Sequence, residues 1–462
     1  MPDLSDLQQR FNDKLKTMPP ARIIVISFLM LILAGTLLLM LPIASKRGGF
    51  RPLDALFTAT SATCVTGLVV GDTYTLWTPF GQGVILALIQ LGGLGLSTLT
   101  IGFSLFIRRK LGIREMKLAT ESSGGSFLDI VGLLRLAIGF TFICEAVGAC
   151  LLAIRFVPSY GLKGIWPSIF CAVSAYCNAG FDVLGFIEGN SSVSAFAGDP
   201  LVSLTISFLI IIGGLGFIVV QDIYLCKIQP LFRHKDTLRL NFHSQICLRV
   251  TVALLLFGTL GFYIFEFDNT MAHLNVFEKL NCAFFQSTNT RTAGFASVDI
   301  GAQLEFTKIL SVLLMFIGAC PGSTGGGIKT TTFMVLAVTV ISTIRGKDEA
   351  VVFRHRFSVP TVYKALTVTI VAFFLVFVDA GVISALNPDI SYMDCLYEAT
   401  SAFGTVGLSA NVTPRLDAIS RLILIFTMFI GRVGPLSFGL SILMRHRGKG
   451  NSIYPEGRML IG

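Results

Sequence analysis

The chain has 462 residues, 53% hydrophobic and only 14% charged, where an average soluble domain carries about 25% charged residues. With a mean hydropathy of +0.75, that balance excludes a soluble globular protein and points to an all-α polytopic membrane protein. The net charge of +9 follows from basic loops beside a membrane, not from a nucleic-acid surface.

Residues 1–22 are polar and lack a short apolar core with a small-residue cleavage site, so they read as a cytoplasmic N-terminal arm. Eight apolar segments come after it, at about 23–44, 80–107, 129–154, 201–220, 247–265, 309–341, 366–386 and 421–444. An even number returns both ends to one side. Of the 36 Lys and Arg residues, 22 lie in the arm, in the loops near 107–128, 221–243 and 344–365, and in the tail 445–462. The positive-inside rule therefore predicts that both termini are cytoplasmic. The opposite face is mildly acidic. Ten cysteines without repeated CxxC or CxxH spacing read as small buried hydrophobes, not as a disulfide framework or a zinc site.

The long outer segments repeat. They read LDALFTATSATCVTGL (53–68), WPSIFCAVSAYCNAGF (166–181), LNCAFFQSTNTRTAGF (280–295) and CLYEATSAFGTVGL (395–408). Their glycines, Gly67, Gly180, Gly294 and Gly407, recur every 113 or 114 residues. Ten positions before each glycine stands an aromatic residue (Phe57, Phe170, Phe284, Tyr397). Six before it stands a hydroxyl (Ser61, Ser174, Thr288, Ser401), and one after it a large apolar residue (Leu68, Phe181, Phe295, Leu408).

The stretch ahead of each glycine has helical spacing but is too short to span, so it predicts a re-entrant pore helix. Each unit is then span, half-helix, extended loop, span: repeat 1 over 23–107, repeat 2 over 129–220, repeat 3 over 247–341 and repeat 4 over 361–444. Non-helical backbone at membrane depth must be buried by protein or line a watery path. Four such loops predict a ring of carbonyls around one pore, in pseudo-fourfold symmetry, able to replace the hydration shell of a monovalent cation. Half-helices entering from outside aim their negative C-termini inward and favour cations.

The second spans carry glycines: Gly92, Gly93 and Gly95; Gly213, Gly214 and Gly216; Gly318; Gly431 and Gly434. In the first two, close helix packing by small residues is the expected role. The third, MFIGACPGSTGGGIKTTTF (315–333), combines Pro321 with five glycines and predicts a span broken into two helices around a flexible loop. Within it, 322–330 nearly spells a phosphate-binding P-loop. Ile328 separates the last glycine from Lys329, however, and no soluble βα unit surrounds it. Arg432 stands in the middle of the last span, where an arginine costs at least about 2.5–3.5 kcal/mol, so it marks the pathway or pairs with Glu145 or Asp379.

These residues resemble the Trk/Ktr/HKT superfamily of potassium transporters over nearly the whole chain, and eight spans without an additional N-terminal pair resemble its Ktr branch. Thr405-Val406-Gly407-Leu408 also resembles the potassium-channel filter Thr-Val-Gly-Tyr-Gly. The resemblance implies potassium uptake, with potassium held at a filter of Val65, Thr66, Gly67, Asn178, Ala179, Gly180, Thr292, Ala293, Gly294, Thr405, Val406 and Gly407. It implies an intramembrane gate built from Gly318, Pro321, Gly322, Ser323, Thr324, Gly325, Gly326, Gly327, Lys329 and Arg432. In plant HKT relatives a serine at the first glycine goes with sodium; Gly67 here favours potassium, and sodium translocation or sodium coupling is the alternative. Asn178 and Arg291 depart from the family pattern, and Arg291 is expected to point away from the axis.

The resemblance further implies a homodimer in the cell membrane, regulated by a separate cytoplasmic ring of nucleotide-binding, KtrA-like subunits. No covalently bound cofactor is expected, and nucleotide is expected only on that partner. Inverted-repeat transporters conflict with repeats that keep one orientation. An enzyme conflicts with spans that hold only Arg135, Glu145, Arg249, Lys329, Asp379 and Arg432 near membrane depth.

Overall fold

The computed structural model describes residues 20–46, 51–106, 127–187, 192–232, 238–347 and 349–435. Residues 1–19 of the expected arm and the expected tail 445–462 lie outside them. Among the described residues the order of a long helix, a short helix and a closing helix or broken helix pair occurs four times. The first set is α1 (Pro20–Leu39), α2 (Pro52–Cys64) and α3 (Pro79–Phe106). The second is α4 (Phe127–Tyr160), α5 (Ile165–Tyr176), α6 (Pro200–Leu215) and α7 (Phe217–Ile223). The third is α8 (Phe242–Glu266), α9 (Val276–Asn289), α10 (Glu305–Phe316) and α11 (Thr330–Ile344). A hairpin of β1 (Val351–Val352) and β2 (His355–Arg356) leads to the fourth, α12 (Val359–Leu386), α13 (Tyr392–Gly404) and α14 (Ala418–Val433).

Among the described residues, the opening helices α1, α4, α8 and α12 are the four that are long and apolar enough to cross a bilayer alone. They show large apolar side chains outward, such as Met30 and Leu37, Phe142 and Ile143, Leu256 and Leu260, Phe373 and Phe374. In water these stripes would be aggregation surfaces; against lipid they are the natural outer face. Hydroxyls on these helices bond the carbonyl one turn back, as Thr36 does to Ile32, Thr141 to Ala137, Thr259 to Leu255 and Thr367 to Tyr363, at 2.7–2.8 Å. Each of these four hydroxyls is thereby satisfied within its own helix.

The closing helices behave differently, and here the sequence-based expectation needs correction. The segments 80–107 and 201–220 are not continuous helices. Gly95 interrupts α3 with φ 75° and ψ 163°. Gly216, at φ 87° and ψ 145°, separates α6 from the helix that resumes at Phe217, with a 96° bend between them. α14 stops at Gly434, with φ 89° and ψ 133°. The break predicted only for the third set, where residues 317–329 separate α10 from α11, therefore has a counterpart in every set. In each case the break glycine, or the loop, takes a backbone conformation that a helix cannot hold.

The short helices α2, α5, α9 and α13 have 12 to 14 residues, about 18–21 Å, well below a bilayer core. Each leans on the closing helix of the preceding set: α5 on α3, α9 on α6 and α13 on α10, with α2 on α14 completing the circle. A polar tie marks each junction. Trp166 Nε1 donates to Gln82 Oε1 at 2.8 Å, and Asn281 Nδ2 to Ser203 Oγ at 2.6 Å. Lys308 meets Asp394 at 2.8 Å, and Arg421 meets Asp54 at 3.0 Å. Both acids stand in the first turn of a short helix, where the helix dipole favours negative charge. The core lies between these short helices, with Phe57, Phe170 and Tyr397 fully buried ahead of the loops and Leu68, Phe181, Phe295 and Leu408 buried behind them.

Candidate functional site

At the C-terminal end of each short helix the chain turns through a left-handed residue that is not glycine: Val65 (φ 57°), Asn178 (φ 59°), Thr292 (φ 68°) and Thr405 (φ 49°). Two residues later comes the glycine, again at positive φ: 93°, 68°, 80° and 93° for Gly67, Gly180, Gly294 and Gly407. Such conformations cost an ordinary residue about 1–3 kcal/mol and persist only where surroundings fix them. The fixing bonds are visible. The amides of Thr66, Ala179 and Val406 donate to the carbonyls of Ser61, Ser174 and Ser401 at 2.7–2.8 Å. The hydroxyls of Ser61 and Ser401 then accept from the amides of Gly67 and Gly407 at 3.1 and 3.0 Å. These are two of the four hydroxyls that stand six residues before a glycine. The third loop is built otherwise: the Ala293 amide bonds the Asn289 carbonyl, and Asn289 Oδ1 accepts from Phe295 N at 3.1 Å.

The four glycines meet one another in a closed cycle. A methyl group added to Gly67 would lie less than 3 Å from the Ala179 carbonyl oxygen, and one on Gly180 equally close to the Ala293 oxygen. The same holds for Gly294 with the Val406 oxygen and for Gly407 with the Thr66 oxygen. One carbonyl from each loop thus abuts the glycine of the next loop round the circle. The buried hydroxyls of Thr66 and Thr405 have no hydrogen-bond partner among the described residues.

The loop 317–329 packs directly against these turns. A Cβ on Gly325 would strike Thr292 Oγ1 and one on Gly326 would strike Thr405 Oγ1, while Thr324 Oγ1 lies 3.2 Å from Asn178 Oδ1 and 3.3 Å from the Tyr176 carbonyl. Three consecutive loop residues therefore abut the first ring residue of the second, third and fourth sets in turn. The loop is stitched at its base, where Gly318 N donates to Ile328 O at 2.8 Å. It docks on the break in the second set through Cys320 N to Gly214 O at 3.0 Å and Phe217 N to Gly322 O at 3.0 Å. The Pro321 carbonyl lies against Gly216, and Gly322 and Gly327 turn at φ 70° and 68°. Ser323 Oγ donates to Cys320 O at 2.6 Å, and Lys329 Nζ to Gly325 O at 2.7 Å, so the lysine ties the loop to itself.

Arg432 completes the layer. Its Nη1 donates to the Thr324 carbonyl and its Nη2 to the Gly92 carbonyl, so one guanidinium links α14, the loop and α3. It pairs with neither acid left open as a partner. Asp379 accepts from Thr427 Oγ1 at 2.5 Å, and Glu145 Oε1 lies 3.8 Å from Cys177 Sγ. Arg291, next to the third ring segment, extends its side chain to α8, where Nη2 donates to Thr251 Oγ1 at 3.3 Å. Three further contacts are not foreseen from the sequence: Gly92, Gly213 and Gly431 each present bare backbone to the carbonyl four residues before a ring glycine, Thr63, Tyr176 and Phe403. The signal that marks them is a glycine three residues before Gly95, Gly216 and Gly434 in each case.

Known transporters share this sequence and fold. The chain is 38% identical to the Ktr system potassium uptake protein B of Bacillus subtilis, covering 96% of this chain and 97% of that one. It is 37% identical to the potassium/sodium uptake protein NtpJ of Enterococcus hirae, over 97% of this chain and 98% of the relative. The crystal structure of the potassium transporter TrkH from Vibrio parahaemolyticus shares the fold at a TM-score of 0.68 and 18% identity, covering 91% of this chain and 84% of that one. These are transporters and not enzymes. The TrkH family, described as cation transport proteins, matches residues 5–449, and the chain belongs to it.

Proposed function

We propose that this protein takes up potassium across the cell membrane through the ring of Gly67, Gly180, Gly294 and Gly407, with both termini cytoplasmic. The observation that carries the proposal is the closed cycle in which each loop sets a carbonyl against the next loop's glycine. Carbonyls so placed replace the water shell of a monovalent cation. The hydroxyls of Thr66 and Thr405 add coordination without partners of their own to lose. The loop 317–329, held across the cytoplasmic side by Arg432, is the gate in this reading. A positive guanidinium in the ion's path raises the barrier further.

Potassium is favoured over sodium because Gly67 leaves in place the Ala179 oxygen that any side chain there would crowd. The relative named for both ions supports sodium translocation or coupling as the second reading. The relatives' description as parts of a Ktr system supports a separate regulatory subunit. We place it on the basic cytoplasmic loops as a nucleotide-binding ring beneath a homodimer. The deciding measurement is cation flux into liposomes holding the purified protein, with potassium and sodium in competition. Wild type is expected to prefer potassium and Gly67→Ser to shift the preference toward sodium. Equal permeation of both ions by wild type would overturn the potassium reading.

A further inference from the structure

Between α4 and α6, on the face turned away from the ring, runs a groove of about 520 Å³, within the size range of small-molecule sites. Its walls are Ile143, Val147 and Leu151 on one side and Leu204, Phe208 and Ile212 on the other. The floor is Gly148, packed on Leu209. The hydroxyl of Thr205, which also lines it, is already committed to the Leu201 carbonyl at 2.6 Å, so the groove offers no polar group of its own. From Pro200 to Ile212 it runs about 18 Å along α6, close to half of the ~30 Å hydrocarbon core. That is the depth of one leaflet.

The mouth is not apolar. One helical turn beyond Leu151 stands Arg155, half exposed, whose Nε donates to Asp199 Oδ2 at 2.5 Å immediately before Pro200. The carboxylate uses one edge of the guanidinium, and the terminal amino groups have no bonded partner among the described residues. A guanidinium has five donors in a planar fork suited to phosphate. A dry channel one leaflet deep, with that fork at its outer end, has the dimensions and polarity of a single phospholipid.

We infer that the groove between α4 and α6 is a binding site for one outer-leaflet glycerophospholipid, with an acyl chain along Val147 and Leu204 and the phosphate at Arg155. The occupant is a lipid and not a second copy of this chain, because the groove is apolar along its length, one leaflet deep and ends at a half-exposed guanidinium. The inference rests on the proposed orientation, with both termini cytoplasmic, but does not depend on which ion the ring conducts.

Native mass spectrometry of the purified full-length protein, titrated with palmitoyl-oleoyl phosphatidylglycerol, tests it. Wild type is expected to retain one lipid above the detergent background. Val147→Trp, which fills the channel, should weaken that binding about tenfold, and Arg155→Gln about fivefold. With the diacylglycerol of the same chains, Arg155→Gln should bind like wild type, which separates the phosphate from the acyl contribution. Inorganic phosphate alone should not compete. A second measurement uses the unaltered protein: a phospholipid carrying a mid-chain diazirine should label peptides containing 143–151 or 200–212. Labelling confined to other helices, or unchanged lipid retention in Val147→Trp, overturns the proposal. So does a Val147→Trp protein that loses dimer but keeps its lipid, since a second copy would then fill the groove.

Discussion

The third closing helix and the other three meet one need by different means. Below each ring segment the helix must stop, because a straight helix would occupy the space beneath the four turns. In α3, at the end of α6 and at the end of α14, one glycine at φ 75–89° suffices. Between α10 and α11 the chain instead spends residues 317–329, and three of them line the underside of the ring. A single-residue break changes direction but offers nothing able to move independently. A loop of that length, bonded at its base and held at its apex by one arginine, can be released. On the proposed reading, this asymmetry is what lets a near-symmetric ring be gated.

The sharpest way to separate the ring from the layer beneath it is to fill the ring. Gly407→Ala places a methyl against the Thr66 carbonyl at a position already at φ 93°, so both space and backbone oppose it. Liposome potassium flux should fall by about a hundredfold or more, since displacement of one carbonyl by even ~2.7 kcal/mol of strain is two orders of magnitude. Wild-type flux in this variant would mean that ions do not pass the ring.

Releasing the loop should act in the opposite direction. Arg432→Ala removes two charge-assisted bonds, each worth about 1.5–3 kcal/mol, to the Thr324 and Gly92 carbonyls. Basal flux without any regulatory partner should rise at least about tenfold with selectivity retained. If flux and its regulation were unchanged, Arg432 would be a packing residue and the loop would need another latch. A smaller rise, about fivefold, is expected for Thr324→Val, which loses a neutral bond of about 1 kcal/mol at the Tyr176 carbonyl while Thr324→Ser keeps it. Equal flux in the two variants would remove the hydroxyl from the account.

How much of this is legible in the sequence divides along the same line. The ring segments can be read because a cyclic structure made from one chain must repeat its turns, and the glycine interval of 113 or 114 residues exposes them. The hydroxyl six residues earlier is visible too, and in Ser61 and Ser401 it accepts the glycine amide. The breaks at Gly95, Gly216 and Gly434 do not read as breaks. One glycine costs a helix only about 1 kcal/mol and is common where membrane helices pack, so alone it signals packing as readily as interruption. The partners of Arg432 are beyond reach for a different reason. They are backbone carbonyls, and a carbonyl that accepts a hydrogen bond leaves no mark in a sequence. Acids do leave one, which is why Glu145 and Asp379 stand out and are the wrong partners.

The smallest expected effect tests whether a one-residue break is only a bend. Gly95 has open space around it, so Gly95→Ala meets no atom and suffers only its φ of 75°. The cost is about 1–2 kcal/mol, which should lower the thermal midpoint by a few degrees and leave basal flux alone. Gly216 has a similar dihedral, but a methyl there would press on the Pro321 carbonyl of the loop. Gly216→Ala should therefore lose similar stability and also raise basal flux by undocking the loop. If both alanine variants changed flux alike, the break itself would move during gating, and the division between a fixed bend in α3 and a mobile loop in the third set would have to be abandoned.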